Sequence, residues 1–179
     1  MANRLPHGTR CLAALLPALL LGACSFTEKA PPPACPDPAI VDGMDSNETL
    51  EPGGSGPEAV AWRSAMLGFG GGCTYEDGGV RLRYTIDLAV APGPAFGAQD
   101  RSVPVRYFVA VADPAGEIID KQVFSTPVPV QPFGAPVVAT EQIEQKIAGV
   151  MPGEGAAWRI YFGLELPREE ALRRRAGRP

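Results

Sequence analysis

Histidine, the side chain that most readily moves protons near neutral pH, occurs once in the 179 residues, as His7. Carboxylates are plentiful, and a pair of them could drive acid–base chemistry on a glycoside if held at the right separation. The nearest local pair is Glu76-Asp77, but it runs straight into Gly78-Gly79 and so reads as a turn. Asp42, Asp45, Asn47 and Glu48 place four oxygen ligands in one short stretch, a calcium candidate that lacks the glycine and terminal glutamate of an EF-hand loop. A solvated acidic loop is the competing reading. Asp45-Ser46-Asn47-Glu48-Thr49 is also an N-x-T acceptor preceded by an acidic residue, the form that bacterial glycosylation uses. Arg81, Arg83 and Arg106 could form a small basic patch, or pair with Asp87, or simply face water. Trp62, Tyr75 and Trp158 together on the surface would make a platform for a sugar ring; buried, they favour protein contact instead. None of these sets is a catalytic constellation, and no cofactor is called for.

The cysteines carry more. Residues 1–23 begin with Arg4 and Arg10, continue as an apolar run from Cys11 to Leu21 broken only by Pro17, and end at Leu21-Gly22-Ala23 before Cys24. The run is too short to span a bilayer and has the form of an export signal. Its end matches a lipobox, in which a small residue precedes the cleaved bond and the following thiol takes lipid. Cys24 is therefore the expected lipidation site; a membrane-spanning anchor, or an ordinary signal leaving Cys24 free, is the alternative. Three acyl chains exceed the two signals that stable anchoring needs, so the membrane is the first expected partner. Ser25 rather than Asp after Cys24 favours, by the sorting rule of Gram-negative lipoproteins, the outer membrane and its periplasmic face. Cleavage would remove the histidine and two of the 16 basic residues, Arg4 and Arg10, and take the net charge from −4 to −6. The mature chain would then have no Ser-His-Asp or Cys-His catalysis, no His-ligated zinc and no histidine switch. Cys35 and Cys73 remain as a single pair in an oxidising compartment, an expected disulfide that would stabilise by roughly 4 kcal/mol on the chain-entropy model. The rival metal or redox role matches no ligand spacing.

The elements that must hold these residues are strands. Residues 24–34 include Pro31-Pro32-Pro33 and read as a stiff tether. Residues 35–167 form the expected domain. There Val80, Leu82, Tyr84, Ile86, Leu88 and Val90 alternate with polar residues, and Val103, Val105, Tyr107, Val109 and Val111 do the same. Asp113-Pro114-Ala115-Gly116 places its residues as a type I turn wants them and returns Ile118 to Phe124 as a hairpin partner. Trp158 to Leu166 alternates again. Val60 to Phe69 suits a strand leading into Gly70-Gly71-Gly72-Cys73. Thr140 to Ile147 fits either a short helix or a strand, and among so many strands the strand is preferred. With 21 Gly and 20 Pro as punctuation, the pattern predicts an all-β antiparallel sandwich, immunoglobulin- or fibronectin-like, of about seven strands. Residues 168–179, with five Arg and two Glu, read as a basic C-terminal tail that frays into solvent or touches acidic envelope polymers.

The lipobox, Cys35-Pro36, Gly72-Cys73-Thr74-Tyr75, Pro92-Gly93-Pro94-Ala95, Tyr107-Phe108-Val109-Ala110-Val111 and Tyr161-Phe162-Gly163-Leu164, in that order, make the chain resemble a family of small uncharacterised bacterial lipoproteins. The resemblance implies a lipid-anchored β-sandwich and supplies no catalytic residue. The stretch from Asn47 to Pro57 is looser than that pattern. Together these features point to a non-enzymatic cell-envelope protein that binds another envelope protein or assembles within the envelope through an exposed strand edge. A carbohydrate or small-ligand module is the second reading and a carboxylate-based hydrolase the third. The acidity and the compartment argue against nucleic acid.

Overall fold

The computed structural model describes residues 31–97, 99 and 101–177. His7, the signal segment, Cys24 and most of the tether lie outside the described residues. The described residues from Pro32 onward form one compact unit. Its described strands are β1 (Asp37–Ile40), β2 (Ser46–Leu50), β3 (Val60–Glu76), β4 (Gly79–Pro92), β5 (Ser102–Ala112), β6 (Ile118–Pro129), β7 (Val137–Ala148) and β8 (Arg159–Leu164), followed by helix α1 (Arg168–Ala176).

Period-two alternation builds the centre of each sheet. Val80, Leu82, Tyr84, Ile86, Leu88 and Val90 are all buried on β4, which pairs with β3 on one side and β7 on the other. The alternating residues of β5 are buried likewise, between β6 and β8. The sheets have orders β2-β3-β4-β7 and β1-β8-β5-β6. Two hairpins thus sit in different sheets, and β7 and β8 each cross to complete one of them. Pairing β4 with β7 and β5 with β8 reproduces the B–E and C–F neighbours of an immunoglobulin sandwich. The fold class is as expected, with eight strands among the described residues against an expected number of about seven. Residues 140–147 lie within strand β7, where Ile143 and Ile147 face the core.

The core is a single cluster, with Phe162 fully buried at its aromatic centre. Its ring lies 5.5 Å from Tyr84 and 5.4 Å from Phe69 between centroids. The β5–β6 turn forms as its residues require. Asp113 Oδ1 accepts hydrogen bonds from the Ala115 and Glu117 amides, both at 2.9 Å, and Gly116 takes φ +84. Beyond Tyr107 the outer face of β5 is buried too. Phe108 lies over Gly163, where a Cβ would fall 2.7 Å from the ring, with Met44 on the other side.

The C-terminal residues depart from the frayed tail that their composition suggests. Glu169 and Glu170 in the first turn and Arg173 to Arg175 in the last suit the helix dipole, and α1 forms. Arg174 docks it: Nη1 donates to the carbonyls of Gly43 and Ser46 at 2.9 and 2.5 Å, while Nε donates within the helix to Glu170 at 2.7 Å.

Candidate functional site: the unpaired edge of β3

β3 has 17 residues and β2 only five. Their pairing runs from Leu50↔Val60 to Ser46↔Ala65 and ends there, where the Asp45 carbonyl takes the Met66 amide at 2.7 Å. From Leu67 to Glu76, β3 continues against β4 alone; among the described residues no strand pairs with its other side. The Cys35–Cys73 disulfide, with Cα atoms 5.7 Å apart, and the hydrogen bond from the Tyr75 hydroxyl to the Ala34 carbonyl at 2.6 Å bring residues 34–35 up to the far end of this stretch. Leu67 to Gly72 remain open.

Ladder alternation says what the open stretch offers. The Gly149 amide bonds to the Gly78 carbonyl, which turns the even-numbered backbone groups of β4 toward β7. Their β3 partners, Phe69↔Ile86 and Gly71↔Tyr84, accordingly direct their amides and carbonyls away from β4. Gly68, Gly70 and Gly72 face the outer side. A Cβ at Gly68 or Gly72 would meet nothing within 4 Å, and at Gly70 only the Thr85 hydroxyl at 3.6 Å. This bare strip borders an open trough of about 580 Å³ walled by Arg83, Thr85, Gln142 and Glu144. On the inner side Phe69 is 37% exposed, while Leu67, 60% exposed, is the extra residue of a bulge between Met66 and Gly68 and faces no β4 partner. Unpaired backbone, glycine at three outward positions and a half-covered Phe69 ring inward are what an added strand would use.

The charges beside the trough are organised around Arg81. It donates to both oxygens of Glu76, at 2.6 and 2.8 Å, and to Glu144, which also accepts from Arg83 Nε at 3.0 Å. The partners are therefore Glu76 and Glu144, not Asp87, whose carboxylate instead accepts from the Thr140 hydroxyl at 2.6 Å. Arg106 is on β5, in the other sheet, and joins no patch with them. The Arg81 hydrogen bond, first among the causes, holds the Glu76 and Glu144 carboxyls below their ordinary value of 4.5, and the two carboxylates push the Arg81 guanidinium upward in turn. Glu76 is thus a poor proton donor, and Asp77 sits in the two-residue turn before β4. Because the folded values lie below the unfolded one, the ion pairs contribute fully above about pH 4.5 and are lost as pH falls through the lower folded values. The thermal midpoint is expected to be level between about pH 5 and 8 and to fall below that, with Glu144→Gln flattening part of the fall. Circular-dichroism melts across pH check this; an unchanged slope in the variant would refute it.

No family model, curated protein or solved structure matches the chain. The site therefore rests on its own geometry.

The other residues singled out by type are dispersed. Asn47 and Glu48 lie on β2 and pair in register with Ser64 and Arg63, so their side chains take opposite faces. Glu48 accepts from Arg63 at 2.6 Å, and Asn47, half-buried, donates to the Thr49 hydroxyl at 3.5 Å. Asp42 and Asp45 precede the strand. Among the described residues no three His, Cys, Asp or Glu side chains gather as a metal site. Trp62, Tyr75 and Trp158 are half-buried against the core and make no shared platform. The β3 edge itself carries no motif; its one signal in the sequence is glycine at alternate positions 68, 70 and 72.

Proposed function

We propose that this chain is a non-enzymatic module of the cell envelope, tethered by lipid on Cys24 and binding another protein by adding that protein's extended segment to β3. The open Leu67–Gly72 edge carries the reading, because the outward backbone groups of Phe69 and Gly71 lie beside no other strand of the described chain. The half-buried state of Trp62, Tyr75 and Trp158 weighs against sugar stacking, the second reading. The lipobox ending in Cys24, with Ser25 after it, supports placement on the periplasmic face of the outer membrane.

The test is made in cells. A photo-crosslinking residue at Gly70, whose outward side is open, is expected to capture a protein partner from the envelope, while the same residue at Asp113, on the distant β5–β6 turn, is not. Cys24→Ala is expected to move the protein from the membrane to the soluble fraction. A Cys24→Ala protein that stayed with the membrane would sink the anchor. Equal capture at both positions, or saturable glycan binding with no captured protein, would sink the interaction reading.

A further inference from the structure

The register of β3 against β4 says which segment the edge selects. Gly72 lies opposite Arg83, Gly70 opposite Thr85 and Gly68 opposite Asp87. Neighbouring strands are about 4.8 Å apart, so a strand added to β3 would have its outward side chains about 10 Å from the β4 backbone, with only bare glycine between. An ordinary residue at 68, 70 or 72 would fill that gap. Glycine opens it, and long side chains can meet across the strip as diagonal and cross-strand neighbours do elsewhere in sheets.

The β4 row facing the strip is polarised. Arg83 has a 63% exposed side chain, and beyond its Nε bond to Glu144 its terminal amino groups have no acceptor among the described residues. Asp87, four positions on, is a carboxylate bonded only to a neutral hydroxyl. One end of the strip thus favours an acid and the other a base. Between them Thr85 is neutral. On the inner side, the residues opposite Gly71 and Phe69 would lie beside the partly exposed Phe69 ring, which suits apolar side chains. The row into which a strand would fit continues that of β2, which is antiparallel to β3. An antiparallel segment meets Gly72 first and Gly68 last.

Resting on the strand-addition reading above, we propose that β3 selects an extended protein segment with an acidic residue at one position and a basic residue four further on, a small polar residue midway and apolar residues between. The acid pairs with Arg83, the base with Asp87, and the apolar pair covers Phe69.

Two peptides of identical composition test this, one with the core Glu-Val-Thr-Val-Lys and one with Lys-Val-Thr-Val-Glu, each flanked by the same neutral residues. The first is expected to bind the full domain about tenfold more tightly by fluorescence anisotropy at low salt, and the preference should shrink as salt rises. In the double variant R83Q/D87N the two peptides should bind alike. Hydrogen exchange reads the mode separately: the Phe69 and Gly71 amides should slow on binding. If both peptides slow those amides but bind equally, the charge selection is wrong and strand addition stands. If neither peptide slows them, strand addition at this edge is wrong as well.

Discussion

Gly71→Ala is expected to lower the unfolding free energy by about 3 kcal/mol, the sum of backbone strain and a clash with the neighbouring strand β4. Gly71 has φ +139, a conformation that side-chain-bearing residues rarely adopt. A Cβ there would fall 2.1 Å from the Arg83 carbonyl oxygen and 2.8 Å from the Tyr84 Cα. Both obstacles are backbone or close to it, so no rotamer change relieves them. β3 would have to lift off β4 at the pair that holds Tyr84 against Phe162. Gly70→Ala, one residue away, is the control. Its new methyl meets the Thr85 hydroxyl at ordinary contact distance, 3.6 Å, and the substitution should be neutral or slightly stabilising through reduced freedom of the unfolded chain. Urea titrations of the three proteins decide the matter. Equal midpoints for wild type and Gly71→Ala would mean that the strand does not require this backbone conformation.

Removing the disulfide is the second large effect. Replacing Cys35 and Cys73 together by serine opens a loop of sequence separation 38, and the chain-entropy model assigns that closure roughly 4 kcal/mol. The loss should also be uneven. β1 has four residues, pairs in parallel with β8 on one side, and enters the sheet directly after Cys35. Its other fastenings are few: the exposed Asp37–Arg159 ion pair, hydrogen bonds from Tyr75 to the Ala34 carbonyl and from Tyr84 to the Pro36 carbonyl, one from the Val41 amide to the Phe162 carbonyl, and Ile40 against the core. In the serine variant the amides of β1 are expected to exchange with solvent well before those of β4 and β5, which are the central strands. Hydrogen-exchange mass spectrometry of the two forms measures it. Uniform loss of protection across all strands would show instead that the bond supports the whole sandwich and not this edge.

Strands whose burial is set by their own alternation were legible from the residues alone. β4, β5 and β8 each carry an unbroken period of two, and each sits in the interior of a sheet, so local pattern and tertiary environment agree. β7 was legible only with its context, because Ile143 and Ile147 fit a helix face and a strand face equally. β1 and β2 were not legible. They are four and five residues long, hold few apolar side chains, and exist because β8 and β3 present ladders to them. The same reason hid the candidate site. An open edge is the difference in length between β3 and β2, and neither length is written in the residues at the edge. Pairs between strands distant in sequence were equally hidden: Arg81 finds Glu144 across 63 positions, while the nearer Asp87 goes to Thr140. The cysteine pair was legible because counting left a single connectivity.

The position of the Cys35–Cys73 bond has a mechanical consequence. A pull on the chain from the N-terminal side reaches Cys35 before it reaches β1, and there part of the load crosses into β3. Without that bond, tension would unzip β1 from β8 one hydrogen bond at a time, a low-force route. With it, the load enters a 17-residue strand bonded lengthwise to β4 over 14 register pairs from Trp62 to Glu76, which must shear together. The bond thus turns a peeling joint into a shearing one.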